Sequence, residues 1–147
     1  MFVQHSVHVS RPVADCSREL LESPQRWFPR MRGKNVSQVG IRLAGLPLRK
    51  RVVVEVGEPV KTSTWAEIPL TWQATFPQKL FPVMTGKVEL AAADTDVTRL
   101  TVSGMYEPPL GRIGEQLDEA LMHNVAEATV KELAESIGRK LEEEREA

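Results

Sequence analysis

Apolar and polar positions alternate with a period of two over much of the chain, which marks strands with one buried face. Val3, His5, Val7 and Val9 share a face of residues 2–9. The alternation then stops. Ser10, Arg11 and Pro12 open "RPVADCSRELLES", a helical stretch with proline near the first turn, where a missing N–H costs little. Pro24 ends it, and "PQRWFPRM", closed by Pro29, has room for only a turn or two of helix. Its Trp27-Phe28 pair reads as an apolar plug. From Val36 the period of two returns, with Val39, Ile41 and Leu43 on one face, a turn-like "AGLP" at 44–47, and then Val52, Val54 and Val56. The clearest case is "WAEIPLTWQA". Ala66, Ile68, Leu70, Trp72 and Ala74 face one way, and Trp65, Glu67, Pro69, Thr71 and Gln73 the other. Pro69 has no donor, so the strand is bulged there or its N–H side lacks a neighbour. Two further strands follow, carrying Met84, Gly86, Val88 and Leu90, then Leu100, Val102, Gly104 and Tyr106.

Pro108-Pro109 ends the last strand, and the rest of the chain reads as one helix. At 100° per residue, Ile113, Leu117, Ala120, Leu121, Asn124 and Ala128 fall in one arc. Further on, Val130, Leu133, Ala134, Ile137 and Leu141 cluster nearly half a revolution away. The pattern predicts a helix that changes its buried face near the middle. It leaves two uses for the second stripe: packing within the chain, or a homodimer face. One-sided strands predict an antiparallel sheet, and the long helix is the element available to cover it. The fold class is therefore α+β. We expect a curved antiparallel sheet of roughly six strands, with two short helices after the first strand, gripping a long C-terminal helix. Residues 1–147 form a single domain in this reading.

Composition narrows the function classes. The chain has 147 residues, 41% hydrophobic and 27% charged, with net charge −1. It has no apolar run long enough to span a bilayer and no global pull toward nucleic acid. "LRKR" at 48–51 is the one basic cluster, without interleaved aromatics, and reads as solvated. The N-terminus alternates and does not resemble a signal peptide, so a cytoplasmic location is expected. The lone Cys16 excludes an internal disulfide, and with no paired base it reads as an inert, partly buried thiol. No metal spacing, P-loop, dinucleotide fingerprint or serine-hydrolase elbow is present, so no cofactor or metal is expected. His5 reads as a hydrogen-bonded core residue. His8 falls on the opposite face. His123 and Glu127, at i and i+4, read as a surface pair, with no third group visible for an acid–base couple.

The order of elements, the block "IPLTWQA" and "GMYEPPLGRIGEQLD" running into the terminal helix resemble the START-like, or birch-allergen-like, helix-grip superfamily. Its bacterial polyketide cyclase/dehydrase-type branch is the most similar. The resemblance covers almost the whole chain, but its motifs concern fold and not catalysis. It implies an apolar cavity between sheet and helix that takes lipids, sterols or polyketides. Ile68, Leu70, Trp72, Val88, Leu100, Val102, Tyr106, Leu117, Leu121, Asn124 and Val125 would line it. Asn124 is the polar interruption of its arc and needs a hydrogen-bond partner if buried. Gly86 and Gly104, with Ala120 and Ala128 opposite, leave either room for a ligand or close helix–sheet packing. The leading expectation is non-catalytic binding of a small apolar or amphipathic molecule. The alternatives are a cyclase or dehydratase-type enzyme, and an interaction module with a filled core that self-associates through the C-terminal helix.

Overall fold

The computed structural model describes residues 2–22, 36–43, 46–76, 84–106 and 119–146. The side chains of 36–55, 72–76, 119–122, 125 and 144–146 lie outside that description. Seven strands form one antiparallel sheet: β1 (Phe2–Val9), β2 (Val36–Leu43), β3 (Leu46–Val56), the short β4 (Val60–Lys61), β5 (Trp65–Phe76), β6 (Met84–Asp94) and β7 (Val97–Tyr106). The spatial order is β1-β7-β6-β5-β3-β2, with β4 paired to β5 off this path. Two helices are described, α1 (Val13–Glu22) and α2 (Glu119–Glu146). The expected second short helix lies outside the described residues.

The first two strands of the chain become the two edges of the sheet. α2 touches both of them, and β7 as well. A flat sheet could not bring both edges to one helix about 10–12 Å across, so this sheet curls around it. The expected alternation is present on the described side chains. Ala66, Ile68 and Leu70 of β5, Met84, Val88 and Leu90 of β6, and Leu100, Val102 and Tyr106 of β7 are all buried. Their outward neighbours include the exposed Pro69, Thr85, Arg99 and Met105.

Pro69 shows how the sheet accommodates a residue without a donor. Its carbonyl accepts the Gly57 N–H at 2.8 Å. The N–H and C=O of a strand residue point to the same side, so the proline nitrogen faces the junction between β3 and β4. β3 pairing ends at Val56↔Leu70 and β4 pairing begins at Val60↔Glu67. The absent donor falls where the neighbouring strand is interrupted, and no bulge is recorded in β5 opposite β6.

α1 buries Val13, Cys16, Ser17 and Leu20, the i, i+3, i+4, i+7 stripe of an amphipathic helix. On α2, Ala126, Val130, Leu133, Ala134, Ile137 and Leu141 are buried, while Asn124, Glu127, Lys131 and Arg139 are exposed. Two expectations are corrected here. From His123 onward the helix keeps one buried face, and Asn124 lies outside it rather than pointing inward. The stripe offered as a homodimer face is packed inside the chain's own core, so it is not an available surface. Ile113 and Leu117 of the earlier arc lie outside the described residues, as does the side chain of Leu121.

Candidate functional site

The inward face of β5, β6 and β7 forms an apolar wall. Ile68, Leu70, Val88, Leu100 and Val102 are each no more than 3% exposed. Cross-strand registers Ile68↔Val88 and Val88↔Val102 place three of them side by side, the spacing at which side chains on one face touch. These five expected site residues therefore lie together. Trp72 extends β5, pairing with Met84, and Leu121 and Val125 belong to α2. Leu117 lies outside the described residues.

Tyr106 closes this wall at the end of β7 and is 2% exposed. Its hydroxyl lies 3.1 Å from Nδ1 of His123, with the two rings tilted by 42°. His123 Nε2 in turn lies 3.2 Å from Glu127 Oε1. The expected His123–Glu127 pair is present, and it has a third member. Linear spacing could not reveal it, because Tyr106 and His123 meet only once α2 is laid against β7. An ionised carboxylate only accepts, so Glu127 places the proton of a neutral imidazole on Nε2. Nδ1 is then the acceptor, and the Tyr106 hydroxyl donates to it. The three groups run outward, from a buried phenol through a one-third-exposed imidazole to a carboxylate in solvent.

The remaining candidates separate from this site. His5 lies on the inward face of β1, as expected, with Nε2 at 3.8 Å from Glu135 Oε1 on α2. It is part-exposed and serves the seam between helix and edge strand. A groove of about 450 Å³ runs along that seam, lined by Val7, His8, Glu135, Gly138, Arg139, Glu142 and Glu143. Its mixed charges and shallow form differ from the apolar wall. Cys16 is fully buried rather than partly so, and burial pushes its thiol up from the ordinary value. It is a poor nucleophile.

The inward glycine of β6 has a structural use. A Cβ on Gly86 would lie 1.9 Å from the Ser103 carbonyl oxygen and 2.8 Å from the Gly104 Cα. Gly86 and Gly104 are cross-strand partners, so the missing side chain is required by the approach of β7. The two expected uses of these glycines were room for a ligand and close helix–sheet packing; the contact at Gly86 is instead strand against strand. Among the described residues, no cluster of three or more histidine, cysteine or acidic side chains is arranged to hold a metal. No described helix is long and apolar enough to cross a membrane.

Comparison of the sequence with family models and with curated proteins finds no match. Solved structures do match along the whole chain. A conserved protein from Geobacillus kaustophilus superposes with a TM-score of 0.59 at 13% identity, covering 97% of this chain and 96% of its own. A START superfamily protein from Mycobacterium smegmatis gives 0.56 at 15% identity, covering 97% of each chain. The Zhui aromatase/cyclase from Streptomyces sp. R1128 gives 0.54 at 14% identity, covering 99% and 95%. Identities this low speak to fold and leave activity with the named proteins. The curled antiparallel sheet closed by its C-terminal helix is the START-like helix-grip fold.

Proposed function

We propose that this chain binds a small apolar or amphipathic molecule, lipid- or polyketide-like, between the sheet and α2, without transforming it. The observation that carries this reading is the apolar wall of Ile68, Leu70, Val88, Leu100 and Val102, ending at the buried Tyr106. Ligand pockets in proteins are mostly apolar, with a few placed polar groups that set orientation. Burial of ligand surface would supply affinity at about 25 cal/mol per Å², and Tyr106 would fix which end enters first. The helix-grip fold, shared with an aromatase/cyclase and a START protein, supports the same class of occupant.

Native extraction followed by mass spectrometry tests the proposal, together with titration of the apolar dye 1-anilinonaphthalene-8-sulfonate. A co-purifying apolar molecule, or a saturable dye site displaced by fatty acid, is the expected result. Absence of both a bound molecule and saturable dye binding would overturn it.

A further inference from the structure

We propose that the outer edge of β1 takes up an extended, basic segment of a partner protein as an added strand, with its lysine or arginine side chains in the groove beside α2. The inference does not depend on a ligand between sheet and helix.

The edge follows from the topology. β1 stands at the end of the strand order and pairs with β7 without a register shift, from Phe2↔Met105 to Val9↔Thr98. Among the described residues, no strand pairs with its other side. Alternate residues of an antiparallel strand direct their N–H and C=O groups away from the partner, so β1 presents a row of them outward. Such an edge is a template for another chain unless lysine, proline or a bulge blunts it. The strand "FVQHSVHV" contains neither lysine nor proline.

The groove makes room for the incoming side chains. α2 packs along β1, but only the ends of the inward face are closed: Val3 and Val9 are buried, while His5 and Val7 between them are half-buried. The helix passes Val7 with Gly138, which has no side chain to fill the space. The seam therefore holds the groove of about 450 Å³ already described.

Charge names the occupant. The groove carries the carboxylates of Glu135, Glu142 and Glu143 against one cation, Arg139, whose Nη2 is turned to Glu132 at 3.8 Å. Glu142 already accepts the Ser10 N–H just beyond β1, so these carboxylates reach the main chain at the strand's end. Pairing two copies of β1 would bring two acidic walls together, which like charges oppose. A basic segment is attracted instead. Side chains of an added strand alternate between faces, so its basic residues fall at every second position. On the outer face Phe2 and its cross-strand partner Met105 are 53% and 57% exposed, and the intervening positions of the segment are apolar.

Fluorescence anisotropy on the full chain tests this, with a labelled peptide as long as β1 that alternates lysine and valine. Saturable binding is expected. It should weaken about tenfold or more when glutamate replaces lysine in the peptide, and about fivefold in the folded Glu135→Gln/Glu143→Gln double variant. Two further peptides are N-methylated, one on every lysine and one on every valine. Only one of these sets points its N–H groups at β1, so one peptide should lose about tenfold or more in affinity and the other should bind as before. No saturable binding, equal binding of lysine and glutamate peptides, unchanged binding in the double variant, or equal binding of the two methylated peptides would overturn the proposal. A chain that sediments as a dimer and ignores the peptide would overturn it too, and would give the edge to a second copy.

Discussion

Arg11 is 7% exposed yet carries a full charge. Its guanidinium meets both carboxylate oxygens of Glu19, at 2.6 Å for the Nη2–Oε1 contact, and Nη1 also donates to the Leu141 carbonyl at 3.0 Å. The Glu19 hydrogen bond holds the guanidinium pKa above its ordinary value, against the opposing effect of burial. Thr98 Oγ1 donates to the Arg11 carbonyl at 2.7 Å, so one residue ties together α1, the last turns of α2 and the start of β7. Glu19→Gln leaves this buried cation without its countercharge. It should cost about 2–3 kcal/mol in urea unfolding, somewhat under the full penalty for breaking a buried pair because Glu19 is part-exposed. Cys16 belongs to the same scale. Burial raises its pKa above the ordinary 9.0, so the folded chain holds the thiol proton more tightly than the unfolded chain does. That contribution is complete below pH 9 and is lost as pH rises through the higher folded value. Cys16→Ala should therefore show a shallower loss of stability than the unaltered chain as pH is raised above 9. In the native chain a thiol-titrating reagent should label Cys16 far more slowly than in urea.

Elements are held at distances that particular glycines set. β6 and β7 approach so closely at Gly86↔Gly104 that a Cβ on Gly86 would collide with backbone. A collision with backbone cannot be relieved by turning a side chain. Gly86→Ala should destabilise by about 2 kcal/mol or more, read as a lower thermal midpoint. Gly138 is different. A Cβ there would sit 3.0 Å from Cγ2 of the part-exposed Val7, a side chain able to give way. Alanine also gains about 1 kcal/mol of helix propensity over glycine, so Gly138→Ala should change stability by less than about 1 kcal/mol. The α2 stripe makes a third statement at this scale. Ile137 is 0% exposed, so Ile137→Asp buries an unpaired charge and should cost about 4 kcal/mol or more. Circular dichroism should report loss of folded structure in that variant. Asn124→Asp, on the exposed side of the same helix, should stay within about 0.5 kcal/mol of the unaltered chain.

For the molecule as a whole, binding and stability are linked. A ligand that enters only the folded chain stabilises it by mass action, about 2.7 kcal/mol at a hundred times its dissociation constant. Thermal unfolding with increasing 1-anilinonaphthalene-8-sulfonate should show a midpoint that rises with dye concentration. A concentration-independent midpoint would count against a site closed by α2. The curled sheet gives this linkage its physical basis, because the helix that would cover the ligand also contacts both sheet edges.

Sequence periodicity was enough for the strands, because a period of two and a buried face are local properties of each segment. Among the described side chains it identified the inward faces of β5, β6 and β7, the helix at 13–22, and the wall from Ile68 to Val102. Element order, read with the one-sidedness of the strands, was enough for an α+β sheet closed by its last helix. What the sequence determined by itself was which side of each segment is apolar. The tertiary structure decided which segment each apolar side meets. It made β1 and β2 the two edges that α2 reaches, kept the stripe from Val130 to Leu141 within the chain, and turned Asn124 outward. It also brought Tyr106 to His123, making a line of three from what had read as a surface pair. Those contacts join residues on separate elements, and their geometry depends on how a twisted sheet closes around a helix, which no local spacing encodes.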